Sequence, residues 1–218
     1  MSEFWEDENE LPYLVYETRD DERKQRSNKS YNSMDSEKLY DAANELLDEK
    51  KLDEALTLID ILIDRNPNND HYWNVKGIIF YDKGDMTYWG DDYYEEAVKC
   101  FNIALKLNPS DNIIKKNKAS CLIDYGNNLR LHGSDYYFPA ISKIDEALSL
   151  LDKNDKNNHS MIVRALNIKG LSYHAMGNRD AIKCYDEALK YSPDDEVIKQ
   201  NKEDLLHYRG IDNEYFYG

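Results

Sequence analysis

The stretch Trp73–Asp85, WNVKGIIFYDKGD, is written a second time at Leu166–Asn178 as LNIKGLSYHAMGN. Both copies carry a large apolar residue, then Asn, an aliphatic residue, Lys and Gly. An aromatic residue follows three positions after that Gly, and a second Gly closes the stretch. Apolar and small residues at steps of three and four fall on one face of an α-helix. A chain that repeats such a helix at a distance is read first as a repeat architecture.

Working outward, each copy is followed by a second helical pattern, and four such patterns occur: LDEALTLIDILI, YEEAVKCFNIALKL, PAISKIDEALSLL and DAIKCYDEALKYS. In each, an Ala is followed four residues later by a large residue and three beyond that by a small or aliphatic one. The sets are Ala55, Ile59 and Leu62; Ala97, Phe101 and Ala104; Ala140, Ile144 and Ala147; Ala181, Tyr185 and Ala188. Small residues let a facing helix approach, and the large one fills the space beside it. Pro67, Pro109 and Pro193 end three of the four units, as a residue that cannot continue a helix should.

The alignment of large, small and aromatic residues with a closing Pro resembles the tetratricopeptide repeat family. Its first-helix signature is matched at Leu39, Ala43 and Leu46, at Trp73, Gly77 and Phe80, at Ala119 and Leu122, and at Leu166, Gly170 and Tyr173. In the third unit Lys115 takes the slot of a large apolar residue, and Asp152 replaces the closing Pro. The resemblance implies an all-α fold: a right-handed superhelical array of helix-turn-helix repeats, a tetratricopeptide solenoid, with a C-terminal capping helix. The expected organisation is a mobile or disordered acidic-aromatic arm over residues 1–34 and an array over 35–209. The array divides into units of about 36–69, 70–111, 112–162 and 163–193, with a cap at 194–209 and a tail at 210–218. The cap is expected to use Val197, Ile198, Leu205 and Leu206.

Two near-identical insertions, GDDYYEEA at Gly90–Ala97 and GSDYYFPA at Gly133–Ala140, interrupt units two and three. Their shared wording predicts a shared local structure. Tyr88, Trp89, Tyr93 and Tyr136 are the candidate contact residues there; packing of the longer turns is the alternative use of these aromatics.

Composition narrows function. The 218 residues carry a formal net charge of −15 and a pI near 4.7, which repels nucleic acid and anionic lipid and favours neutral or basic partners. The three cysteines, Cys100, Cys121 and Cys184, have no CxxC spacing, so neither a disulfide framework nor a zinc site is expected. The acidic start MSEFWEDENE lacks signal-peptide character, and no apolar run approaches the ~20 residues of a membrane span; a cytoplasmic protein is expected. His71, His132, His159, His174 and His207 show no HExxH spacing, and no phosphate loop, dinucleotide fingerprint or nucleophile elbow occurs. The chain is therefore expected not to be an enzyme and to need no cofactor or metal.

The family resemblance implies a concave groove lined by the first helices, holding a peptide or helix of another protein. Helical phase away from the packing face selects Tyr40, Asn44 and Asp48; His71, Asn74, Ile78 and Asp82; Lys116, Asn117 and Asp124; Arg164, Asn167, Leu171 and His174. The asparagines there suit a peptide backbone. The dicarboxylate clamp of chaperone-binding members requires Lys, Asn and Arg where this chain has Tyr40, Val75, Ile113 and Asn117, so that ligand is not expected. An adaptor, scaffold or assembly factor is the reading; the alternative is a self-associating or autoinhibited structural protein whose arm or tyrosine-rich insertions fill a groove.

Overall fold

The computed structural model describes residues 31, 33–87 and 89–215, with side chains up to His207. The expected N-terminal arm thus lies almost wholly outside the described residues, as does Tyr88. All regular structure among the described residues is helical. Two compact units, residues 1–67 and 68–218, are distinguished, and each is taken by itself.

In the first unit, α1 (Ser36–Asp48) and α2 (Leu52–Arg65) form one antiparallel pair. The Asp35 carboxylate caps α1 by accepting from the Glu37 N–H at 2.8 Å. Leu39, Ala43, Ala55, Ile59 and Leu62 are fully buried, as their spacing requires. The Arg65 guanidinium donates to the carbonyls of Met34 and Tyr31 at 2.8 and 3.0 Å, tying this end of the chain to the pair.

The second unit runs α3 (Asp70–Asp85), α4 (Asp91–Leu107), α5 (Asn112–Leu131), α6 (Tyr137–Leu150), α7 (His159–Ala175), α8 (Asp180–Tyr191) and α9 (Glu196–Tyr215). Packing is most extensive within the pairs α3–α4, α5–α6 and α7–α8, and each second helix also packs on the next first helix. Asn69, Asp111 and Asp195 cap α3, α5 and α9 by accepting from backbone N–H groups.

Each pair of the second unit closes on a glycine. A Cβ on Gly77 would lie 2.7 Å from the Phe101 ring, and one on Gly170 would lie 2.4 Å from the Tyr185 ring. In the third pair the same role falls to Gly126, whose Cβ would meet Ile144 at 2.9 Å. This corrects the expected register. The signature of unit three is Leu122, Gly126 and Leu129, seven residues beyond the Ala119 alignment. Leu122 then fills the large apolar slot and the anomaly at Lys115 disappears. Ala119 is buried too, because a seven-residue step returns to the same helical face.

The insertions also differ from expectation. Asp91–Tyr94 form the first turn of α4, whereas Gly133 has φ of 108° and Ser134–Tyr136 form a short 3-10 turn ahead of α6. The extra residues lengthen the second helix of one unit and the first helix of the next. At the C-terminus, α9 continues through Tyr215 rather than ending near Arg209; a lone Gly210 costs ~1 kcal/mol, too little to stop a helix whose neighbours favour it. Of its four expected core residues, Ile198 and Leu205 are buried while Val197 and Leu206 are exposed.

Lys118 on α5 is buried, and its Nζ sits 2.6 Å from the half-exposed Glu146 carboxylate on α6. Removing the carboxylate leaves a buried cation without its partner. Glu146→Ala is expected to cost about 1–3 kcal/mol, and Lys118→Met to be nearly neutral, as read by urea unfolding.

Burial pushes the phenols of Tyr94 and Tyr185 up to about 12, against about 10 in an unfolded chain. The folded state therefore holds these protons more tightly. Their contribution is complete below about pH 10 and is lost as pH rises toward 12. Unfolding midpoints followed by circular dichroism are expected to be flat with respect to these groups up to about pH 10 and to fall above it.

Candidate functional site

The first helices of the second unit are laced side by side. The Asn117 amide on α5 donates to the Asn74 carbonyl oxygen on α3 at 3.0 Å. The Tyr81 hydroxyl on α3 donates to the Asp124 carboxylate on α5, and Arg164 on α7 donates to the same carboxylate. Ser120 stands 3.4 Å from the Tyr81 hydroxyl. The Asn201 amide on α9 donates to the Asn167 carbonyl oxygen on α7 at 2.9 Å. Desolvation raises the Tyr81 pKa, so its hydroxyl stays a donor to Asp124 at neutral pH.

Sequence phase thus brought Asn74, Asn117, Asp124, Arg164 and Asn167 into one row. Part of their hydrogen-bonding capacity is spent between helices, and Asn74 is buried. Lys116 points to Asp155 at 3.2 Å, ahead of α7; the Asn157 backbone N–H and Lys116 together hold the Asp155 carboxyl below the usual range. Ile78, Asp82, Leu171 and His174 are half-buried on the same helices, and His71 is exposed at the start of α3. Tyr40, Asn44 and Asp48 belong to the first unit, where the Asn44 amide donates to the Tyr40 carbonyl at 2.9 Å.

Between α7 and α9 the row opens into a recess of about 510 Å³. His159, Arg164 and Asn167 supply its polar wall, and Val163, Tyr191 and Val197 its apolar one. Val197, expected in the core, is 63% exposed here. Sequence reasoning missed Val163, Tyr191 and Val197; the signal was an apolar residue adjacent to, rather than in, the packing register.

The insertion aromatics divide. Tyr94 is buried and stacks on Tyr125 with ring centroids 5.3 Å apart, and Tyr125 donates to Glu95 at 3.1 Å. Tyr93 and Tyr136 are exposed, and Trp89 is 66% exposed with its ring 4.4 Å from His132.

Among the described residues no metal cluster is assembled: no group of three or more His, Cys, Asp or Glu side chains is arranged to hold a metal. Cys100, Cys121 and Cys184 are buried thiols outside any disulfide; burial pushes Cys121 up to about 12 and Cys184 up to about 11. A thiol is reactive as its thiolate, so iodoacetamide at pH 7.5 is expected to leave Cys121 and Cys184 unmodified in the folded protein and to label both in urea, by intact mass. No helix among the described residues is long and apolar enough to cross a membrane.

Comparison with known proteins agrees with this architecture. Tetratricopeptide repeat models match residues 40–87, 78–111 and 163–195. No curated protein matches. Among solved structures, the crystal structure of MamA protein is 18% identical, with a TM-score of 0.55, over 82% of this chain and 85% of that one. A MamA fragment, 41-end, from Desulfovibrio magneticus RS-1 is 19% identical, with a TM-score of 0.53, over 81% of this chain and 87% of that one. At these identities the likeness is one of fold. The fold is commonly a protein–protein interaction module, and proteins built on it are generally non-catalytic. With paired helices closing on Gly77, Gly126 and Gly170 and with these matches, the chain is a tetratricopeptide repeat protein.

Proposed function

We propose that this protein is a non-enzymatic interaction module that binds a peptide or helix of a partner protein on the first-helix face of residues 68–218. The observation that carries the reading is the recess between α7 and α9. There an exposed Val197 stands beside Arg164 and Asn167 in a concavity of about 510 Å³, a volume in the range that ligand sites use. The half-buried Ile78, Leu171 and His174 continue that face with mixed polarity. The net charge of −15 favours a neutral or basic ligand. A chaperone-tail ligand is disfavoured in the corrected register as well, since Ser120 and Asp124 stand near the clamp's basic positions on α5.

The test is affinity capture with the full chain beside Leu171→Glu/Val197→Glu. These positions avoid the inter-helix hydrogen bonds that an Asn74→Ala or Asn117→Ala change would break. A protein enriched by the wild type and lost from the variant supports the face. The same proteins captured by both would overturn it.

A further inference from the structure

Among the described residues eleven large hydrophobic side chains are exposed, and six of them lie in or flank two inter-helix connections: Met86, Trp89 and Tyr93 at one, Leu131, Tyr136 and Phe138 at the other. Distance in sequence hides that the connections meet. The Trp89 ring lies 4.4 Å from His132, and His132 meets Tyr136 edge-on at 5.5 Å. The Asp91 carboxylate is 3.5 Å from His132 Nδ1, and Asn128 donates to Asp91 at 3.3 Å. The turn that carries Trp89 is tight: a Cβ on Gly90 would lie 2.3 Å from the Gly84 carbonyl oxygen.

Three features say what this surface takes. Its apolar content is costly to leave in water, since a side chain as large as Trp89 or Phe138 gains roughly 1.5–3 kcal/mol on burial. Its surroundings are acidic: Asp91, Asp92, Glu95 and Asp135 stand in or beside the two connections, and Asp92 and Glu95 lie close enough to add to the rise that burial imposes on Asp91. The nearby cations are engaged locally, Lys83 over the Tyr93 ring and Arg130 on Asn127. Finally, the buried His132 ring fixes the two connections to each other, with the Asp91 carboxylate 3.5 Å from Nδ1 and no hydrogen-bond partner at Nε2.

The geometry points to a second docking surface, in which the exposed Trp89 and Tyr136, set against the buried His132 ring, receive a cationic amphipathic segment of a partner protein, its aliphatic or aromatic side chains on the rings and its Lys or Arg on the acidic rim. Aromatic faces also attract such cations directly. This surface is independent of the first-helix face, and either can fail without the other.

The experiment uses the full chain and a fluorescein-labelled peptide of about 18 residues with Leu and Lys at helical spacing. A counterpart with every Lys replaced by Glu is the control, and anisotropy is read at ~0.15 M salt. The Lys peptide is expected to bind, the Glu peptide not. Trp89→Ala/Tyr136→Ala is expected to weaken binding about tenfold or more. Asp92→Lys/Asp135→Lys keeps the aromatics and is expected to weaken it as well, which covers a folding defect in the first variant. Leu171→Glu/Val197→Glu is read beside them to separate binding on the first-helix face from binding at Trp89 and Tyr136. Equal affinity for wild type and both insertion variants, equal binding of the Glu peptide, or loss confined to the Leu171/Val197 variant would overturn the proposal. So would a dimer by light scattering that Trp89→Ala/Tyr136→Ala returns to monomer, because that assigns the surface to a second copy of the chain.

Discussion

Tyr185→Ala is expected to lower stability by about 3–5 kcal/mol, while Tyr185→Phe leaves it unchanged or raises it. The ring is fully buried between α7 and α8 and occupies the space a side chain at position 170 would take, so truncation opens a cavity that a rigid helix pair cannot refill. The hydroxyl is a different matter. It is buried without a hydrogen-bond partner, and its pKa is pushed up to about 12. An unpaired buried polar group costs ~1–3 kcal/mol, which Phe would remove. The chain already makes this choice two repeats earlier, where Phe101 lies on Gly77 as Tyr185 lies on Gly170. Urea unfolding by circular dichroism of the wild type and both variants checks it. A Tyr185→Phe variant less stable by more than ~1 kcal/mol would mean that the hydroxyl has a partner, such as a water, that contributes to the fold.

The second helices were legible because their code is local. Ala97, Phe101 and Ala104, and Ala181, Tyr185 and Ala188, each sit within two turns, and all are buried. First helices are harder to read. α5 holds two small residues seven apart, Ala119 and Gly126, on one face, and both are buried. Periodicity cannot rank them; only the facing Ile144 does. The candidate face was legible as a row but not in its chemistry. Helical phase selected Asn74, Asn117 and Asn167, yet whether an amide faces a ligand or the next helix depends on the spacing between repeats, which lies outside any one helix. The insertions misled for a related reason. GDDYY and GSDYY read alike, but Pro139 stands in the first turn of α6 and Gly133 adopts a left-handed φ of 108°, so a 3-10 turn replaces the regular α-helical start seen at Asp91.

That register carries the other large expectation. Gly126→Val is expected to destabilise the protein by about 2–3 kcal/mol through overpacking, and Gly126→Ala by less. Alanine gains up to ~1 kcal/mol of helix propensity over glycine, which offsets part of the clash between its Cβ and Ile144 at 2.9 Å. Valine adds two methyl groups against Ile144 and the Ala140 carbonyl, 3.1 Å from the Cβ position, and neither α5 nor α6 can retreat without opening the core around Leu122 and Ala147. Ile144→Ala made together with Gly126→Val should then recover part of the loss, because the smaller side chain vacates the space the valine needs; contacting residues are the pairs whose effects fail to add. Gly177→Val is the comparison. Nothing stands within 4 Å of a Cβ there, and its cost is the strain of φ at +66° alone, which Ile144→Ala cannot relieve. Rescue of Gly126→Val but not of Gly177→Val by Ile144→Ala, in urea unfolding, is the expected pattern. Additive losses in both would place α5 in the Ala119 register and return Lys115 to the apolar slot.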